Sequence, residues 1–201
     1  MKRSDFNIII FLAVFLLLKE GFYFYVGLTT PGGRLFSPFL ATYANIPYWF
    51  TVATAKSSKL LLEIGDYTVY QKDAANITIS GSRGVTLAWG CLGMEALSVW
   101  FAFITAHRCG IKYKLKWIVA GIVLIFIVNT LRIVMIALSN FYKWSYFQSF
   151  NAHRSFNTLT YCIIILLMLI FVYNYRKSKR SILQEKNNSL EIPKEKLTVI
   201  K

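Results

Sequence analysis

The sequence predicts a membrane protein of the all-α class: a bundle of about four transmembrane helices with a small extracytoplasmic β-meander. Of its 201 residues 56% are hydrophobic and only 16% are charged, whereas a soluble domain has about 25% charged residues. Several apolar runs approach the roughly 20 residues that cross a bilayer. Short stretches with alternating β-branched residues separate two of these runs. We therefore expect one integral membrane domain over residues 1–180, followed by a basic, polar cytoplasmic tail over 181–201.

Four apolar runs are the predicted membrane spans. They cover residues 7–28, 88–106, 117–138 and 158–175. A cleaved signal peptide is the alternative for the first run. No small-x-small cleavage site follows the apolar core of that run, where Lys19, Glu20 and then aromatic residues come instead. A retained span is therefore favoured.

The segment between the first two runs has a different character. Residues 38–64 are partly apolar but contain Pro47, Lys56 and Lys59, which favours helices on the outer membrane surface over a further span. Residues 66–88 carry the short alternating stretches YTVY, NITIS and GVTLA, separated by turn-like QKDAA and GSRG. This pattern predicts three strands. Open sheet edges are not tolerated in lipid, so we expect the sheet outside the bilayer.

The charge distribution sets the expected orientation. The net charge is +14, from 23 basic and 9 acidic residues, and such an excess can indicate nucleic-acid binding. Here the basic residues lie mostly between and after the apolar runs, as in cytoplasmic loops, so no nucleic-acid partner is expected. This distribution predicts four spans of the cell membrane with both termini in the cytoplasm. The residues before the second run and after the third then meet at the outer membrane face.

The three cysteines lie far apart, and no CxxC pair occurs. Cys91, Cys109 and Cys162 therefore predict neither a disulfide framework nor a zinc site, and no cofactor or metal is expected. Cys91 stands at the start of the second predicted span, and Gly90 and Gly93 beside it allow close backbone approach. It is either a small packing residue or a nucleophile, since nearby positive charge lowers the pKa of a thiol.

The strongest single indication of a functional site is a charged residue within a predicted span. Arg132 lies in the third run, where a charge costs at least about 2.5 kcal/mol and usually faces the bundle interior. Asn129 lies three residues earlier, on the same helical face. Arg132 is either a structural ion partner of Glu95 or a cation aimed at a reaction centre, or both. Glu95 follows Cys91 by four residues, which predicts that both project from one helix face.

His153 is the candidate general base. It precedes the fourth run, where it is either an interfacial residue beside aromatics or the group that takes the thiol proton. His107 competes for this role, but together with Cys109 it falls on the inner side of the predicted topology. Cys162 is predicted to pack in the core.

The order of these residues resembles the exosortase/archaeosortase family. The resemblance covers roughly residues 60–175 and includes the β-rich segment that leads into the cysteine. Two departures concern the residues near the thiol: Leu92 stands where serine is commonest, and Glu95 stands where arginine is frequent. The region after the histidine also lacks a glycine that often follows it. The matching elements are Cys91-Leu92-Gly93, Asn129-Thr130-Leu131-Arg132 and His153.

The resemblance implies a membrane cysteine peptidase or transpeptidase. Its substrates would be exported proteins with a C-terminal sorting signal: a short motif, a transmembrane helix and a basic tail, as in PEP-CTERM proteins. Cleavage at the outer membrane face would leave an acyl group on Cys91, with His153 as general base and then acid. Arg132 would stabilise the thiolate or the oxyanion, and Asn129 would orient Arg132.

Two other classes of function remain open. The first is a non-catalytic membrane assembly or export factor, held together by a structural pair between Glu95 and Arg132. The second is a small transporter that uses Arg132 in an anion path, although no repeat of the halves is visible. The sequence leaves the substrate, the acceptor and the oligomeric state open. Membrane lipid is a partner in every case.

Overall fold

The computed structural model describes residues 6–32, 35–87, 90, 92–144 and 152–195. In the last range it describes the backbone throughout and the side chains of residues 158–181, 184 and 187. The chain divides into two compact units, Met1–Ile164 and Ile165–Lys201. In chain order the described elements are α1 (Ile8–Thr29), α2 (Pro38–Tyr43), α3 (Ile46–Ile64), β1 (Val69–Gln71), β2 (Asn76–Ile79), β3 (Val85–Thr86), α4 (Met94–Ala106), α5 (Ile111–Phe141) and α6 (Ala152–Glu195).

Three of the described helices are long and apolar enough to cross a membrane. They are α1, α5 and the segment Thr158–Ser181 of α6. In the most apolar part of α1 no residue is buried. This finding agrees with the prediction of a membrane protein and with three of the four predicted spans. Orientation and the position of the termini stay predictions.

The surface of α5 shows why a membrane is the natural environment. Its large exposed apolar side chains recur at every fourth position, and residues four apart lie on one face of a helix. A continuous apolar stripe of this length is rare on soluble proteins, whereas lipid accommodates it. The stripe consists of Ile111, Leu115, Val119, Val123, Ile127, Leu131 and Met135.

The second predicted span, residues 88–106, is shorter in the structure. Helix α4 begins at Met94 and has 13 residues, which gives a length of about 20 Å at 1.5 Å per residue. The hydrocarbon core of a bilayer is about 30 Å thick. Gly93 directly before α4 has φ +70°, a left-handed conformation that is not helical. The prediction that Cys91 and Glu95 share one helix face involves Cys91, which lies outside the described residues, so it stays a prediction.

Helices do form in residues 38–64, as predicted. Helix α2 is short, and α3 has 19 residues. Lys56, Lys59 and Glu63 lie in α3, and α3 is not among the helices apolar enough to cross a membrane. Its position at the membrane surface stays a prediction.

The three predicted strands are present and form one antiparallel sheet in the order β1-β2-β3. Val69 pairs with Ile79, and Ile77 pairs with Val85. The sheet buries one face against α3 and the last turns of α5. The side chains at this contact form one hydrophobic cluster. Its buried members are Ala55, Leu62, Val69, Ile77, Ile79, Val85, Leu87, Ile133, Ile136 and Ala137. The location of the sheet outside the membrane stays a prediction.

Helix α4 packs between α1 and α5. It runs antiparallel to α1, and the backbone N–H of Asn7 donates to the carbonyl of Ala106 at 3.1 Å. On its other side, the indole N–H of Trp100 donates to the carbonyl of Trp117 at 3.1 Å. Gly121 of α5 lies under the Trp100 ring, where a Cβ atom would approach the indole nitrogen to 1.9 Å. Only glycine fits at this crossing.

Candidate functional site

Arg132 and Asn129 lie on the buried face of α5. The exposed fraction is 5% for Arg132 and 2% for Asn129, as predicted for polar residues that face protein rather than lipid. Helix α3 borders the same level of α5, because the Ser58 hydroxyl donates to the carbonyl of Thr130 at 3.4 Å. The guanidinium of Arg132 is therefore held inside the protein at the height where α3 and α5 meet.

The segment that leads into α4 lies against the Asn129 turn. A Cβ atom at Gly93 would lie 3.2 Å from Cγ2 of Ile125 and 3.7 Å from Cγ of Asn129. Together with its positive φ, this contact gives Gly93 two reasons to be glycine. Leu92 beside it is fully buried. The structure thus brings together two of the predicted supporting residues, Gly93 and Asn129.

Glu95 does not pair with Arg132, and that prediction is wrong. Its Oε1 lies 3.8 Å from Nζ of Lys19 and accepts a hydrogen bond from the Tyr23 hydroxyl at 3.2 Å, and its Oε2 accepts one from the Tyr161 hydroxyl at 3.2 Å. Lys19 and Tyr23 both belong to α1, so Glu95 lies on the side of α4 that faces α1.

Sequence reasoning missed the three partners of Glu95. Lys19 was visible as a cation inside the first apolar run, and opposite charge made it a candidate. The hydroxyls of Tyr23 and Tyr161 carried no such signal. Glu95 also lies in the first turn of α4, where the positive end of the helix dipole favours an anion. About half of its side chain is exposed.

The structure does not describe the side chains of two of the three predicted catalytic residues. Cys91 is not described. The backbone of His153 belongs to α6, but its side chain is not described. Of the set Cys91, Arg132 and His153, the structure places the Arg132 side chain alone, so the catalytic set stays a prediction.

Three other groups could compete with the predicted catalytic residues: His107, Cys109 and Cys162. His107 lies at the far end of α4 from Gly93, between the rings of Phe6 and Phe103, with Nδ1 2.8 Å from the Phe103 carbonyl. Burial raises the pKa of the Cys109 thiol, and nearby Lys114 opposes this only in part. A thiol with a raised pKa is a poor nucleophile. The predicted core position of Cys162 is wrong, because its side chain is exposed.

The described residues define a mainly helical protein with three helices that can cross a membrane, a small sheet and a buried arginine. Within the described ranges, no group of three histidine, cysteine or acidic residues is placed to hold a metal ion. The sequence matches no protein-family model, and searches among curated proteins and solved structures find no similar chain. The resemblance to exosortases therefore depends on the order of its motif residues.

Proposed function

We propose that this protein is a membrane cysteine peptidase or transpeptidase that cleaves a C-terminal sorting signal of exported proteins at the extracytoplasmic face. The observation that supports the proposal best is the buried pair Arg132 and Asn129, with Gly93 packed against Asn129. Gly93 follows Cys91 by two residues in the sequence. Positive charge near a thiol lowers its pKa and favours the reactive thiolate, which is the role that we propose for Arg132.

The reaction begins with attack of the Cys91 thiolate on the carbonyl carbon of the scissile peptide bond. His153 accepts the thiol proton and then donates it to the departing amine. The peptide C–N bond breaks, and a thioester forms on Cys91. Water or an acceptor amine then attacks the thioester and regenerates the thiol.

Arg132 stabilises the negative charge that develops during this reaction. Removing one fixed donor from an oxyanion site typically costs about 2.7–4 kcal/mol of transition-state stabilisation. A preformed, buried guanidinium needs no reorganisation when that charge appears. This benefit gives a physical reason for keeping a cation inside a span, where it is otherwise unfavourable.

Substitution of the nucleophile tests the proposal directly. The chain is co-expressed with exported proteins that end in a short motif, an apolar helix and a basic tail, each with a C-terminal tag. In Cys91→Ala and Cys91→Ser the substrates should keep the tag, because cleavage is abolished. In the matched controls Cys109→Ser and Cys162→Ser the substrates should lose the tag as with wild type. Normal processing in both Cys91 variants, at wild-type abundance, would refute the peptidase function.

Arg132 variants separate a catalytic cation from a structural one. Arg132→Lys keeps the charge but loses the planar guanidinium, and Arg132→Gln loses the charge. We expect processing to fall by about 100-fold or more in Arg132→Gln, in line with loss of an oxyanion donor. Protein abundance and thermal midpoint are measured in parallel. A loss of processing that only follows a loss of folded protein would contradict the catalytic role.

A non-catalytic assembly or export factor is the second candidate. Its support is the Glu95 cluster, which connects α1, α4 and the start of α6 through Lys19, Tyr23 and Tyr161. In that case, exchange of the charges in Lys19→Glu with Glu95→Lys should preserve function, and Cys91→Ala should be silent. The peptidase proposal makes the opposite prediction for Cys91→Ala.

A further inference from the structure

A polar cavity lies where the turn between β2 and β3 meets the end of α5. Its volume is about 740 Å³, which is large enough for a lipid headgroup. The described residues that line it are Gly81, Ser82, Arg83, Asn140 and Lys143. It is separate from the buried Arg132 and independent of the proposed peptidase function.

The cavity is positively charged. Arg83 and Lys143 contribute two cations, and none of its described lining residues is acidic. The ion pairs of Lys19 with Glu95 and of Lys59 with Glu63 lie elsewhere and involve neither cation. Within the described ranges, neither Arg83 nor Lys143 has an acidic partner. Two cations that share one cavity without an anion favour an anionic ligand.

Lys143 occupies a backbone position that favours glycine. Its φ is +51°, and the following N–H, of Trp144, donates to the Ser139 carbonyl at 3.1 Å. This hydrogen bond is the mark of a Schellman motif, in which glycine usually occupies the left-handed position. A residue with a Cβ atom is disfavoured there. Glycine would suit this backbone conformation better, so the presence of lysine indicates that the site uses the charge of the side chain.

Arg83 is carried on a fixed turn. Gly81 supplies a positive φ of +78°, and the Ser82 hydroxyl lies within hydrogen-bond distance of the carbonyls of Ile79 and Arg83, at 2.9 and 3.3 Å. Arg83, Asn140 and Lys143 thus border one space. Guanidinium and ammonium groups are the main binders of phosphate oxygens in proteins.

Aromatic residues beside the cavity place it at headgroup level. The rings of Tyr142 and Trp144 stack at 5.8 Å, and the hydroxyls of Tyr67 and Tyr142 lie 2.7 Å apart. Tyrosine and tryptophan concentrate where a membrane meets water, and the apolar stripe of α5 ends just before them at Met135. We propose that the cavity binds the phosphate of an anionic membrane lipid through Arg83 and Lys143.

Native mass spectrometry of the detergent-purified full chain tests this proposal. Short-chain phosphatidylglycerol is titrated against phosphatidylcholine, which carries a phosphate but no net charge. Wild type should retain phosphatidylglycerol preferentially. Arg83→Gln and Lys143→Gly should each weaken that binding about tenfold, as expected for loss of a charge-assisted hydrogen bond. Lys72→Gln, on an exposed turn of the same sheet, is the matched control and should bind as wild type does.

Thermal unfolding separates a binding role of Lys143 from a capping role. Lys143→Gly should keep or raise the thermal midpoint, because it relieves the positive φ, while it loses the lipid. Inorganic phosphate titrated without lipid distinguishes the two sources of this chemistry: stabilisation by phosphate alone, dependent on Arg83, would identify a free anion as the ligand. Equal binding of both lipids and no response to phosphate, or identical losses in Lys72→Gln, would overturn the proposal.

Discussion

The two halves of α5 pack against their neighbours in different ways. The first half meets α4 at Gly121, where the absence of a side chain lets the Trp100 ring lie against the backbone. The second half meets α3 and the sheet through branched aliphatic side chains, chiefly Ile133 and Ile136. Small residues at close crossings are typical of helix pairs in lipid. A cluster of branched side chains against a sheet is typical of proteins in water.

The difference indicates where the environment of α5 changes. Asn129 and Arg132 lie between the two packing regions: Gly93 contacts the Asn129 turn from one side, and Ser58 reaches Thr130 from the other. Polar side chains at such a boundary lie closer to the aqueous phase than side chains at the middle of a span. This location fits the proposed reaction at a membrane face.

The largest expected effect comes from filling the close crossing. In Gly121→Ala, the new Cβ atom overlaps the Trp100 ring, so the ring must shift and its hydrogen bond to Trp117 is strained. We expect a loss of about 4 kcal/mol in the free energy of unfolding, near the upper end for overpacking with a lost hydrogen bond. Denaturant titration in detergent or bicelles measures it.

The control for this substitution is another helix glycine. A Cβ atom added at Gly21 in α1 would have no neighbouring atom within 4 Å, so Gly21→Ala should be neutral or slightly stabilising, since alanine favours helices. Equal stability of Gly121→Ala and Gly21→Ala would show that α4 and α5 do not cross closely at Trp100.

A somewhat smaller effect is expected in the aliphatic half. Ile133 is fully buried in the cluster with the sheet, and Ile133→Ala should cost about 3 kcal/mol through lost burial and the resulting cavity. Leu131 lies on the exposed stripe with 49% exposure, so Leu131→Ala should cost clearly less. If the two substitutions destabilise the protein equally in the same unfolding assay, the assignment of buried and lipid-facing sides of α5 is wrong.

Much of the fold could be predicted because it depends on patterns within one segment. Long apolar runs predicted α1, α5 and the apolar part of α6, and alternation predicted the three strands. The start of α4 could not be predicted in this way. Residues 88–93 are as apolar as the helix that follows, and the helix begins only after the left-handed Gly93, a backbone feature that hydrophobicity does not report.

The candidate site was likewise predictable only in part. Burial of Arg132 and Asn129 was predictable, because polar residues three apart in an apolar run must share a protected face. The partner of Glu95 was not predictable, because it depends on which face of α4 packs against α1 and which packs against α5. Charge alone favours Arg132, but the contacts with Lys19 and Tyr23 place Glu95 on the side of α4 that faces α1.

The Glu95 cluster should contribute little stability compared with either half of α5. Its ion pair with Lys19 is partly exposed, with side-chain exposures of 35% and 45% at 3.8 Å, and such pairs are worth about 0.2–1 kcal/mol. A double-mutant cycle of Lys19→Gln and Glu95→Gln, measured by denaturant unfolding, should give a coupling energy in that range. A coupling above about 2 kcal/mol would mean that the pair is screened far less than its exposure indicates.

The smallest effect is expected at the turn between β1 and β2, on the exposed side of the sheet. The Asp73 carboxylate accepts hydrogen bonds from the side-chain amide of Asn76 at 2.7 Å and from the backbone N–H of Ala75 at 2.8 Å. These bonds hold the pKa of Asp73 below its ordinary value, the Asn76 side chain contributing most. Because the folded pKa is the lower one, the stabilisation is complete above the unfolded pKa of about 3.9 and is lost as pH falls through the folded pKa.

Asp73→Asn should therefore flatten the dependence of the thermal midpoint on pH below about pH 4, where the wild-type carboxylate takes up its proton. At neutral pH the asparagine keeps an oxygen for the Ala75 N–H, so its midpoint should lie above that of Asp73→Ala, which loses every acceptor. Thermal scans from acid to neutral pH measure both differences. A wild-type and an Asp73→Asn profile that run parallel through the acid range would show that the Asn76 contact does not hold the carboxylate in its charged form. The sheet region would then differ from the first half of α5 in packing alone, because the exposed turn between β1 and β2 would contribute no pH-dependent stability.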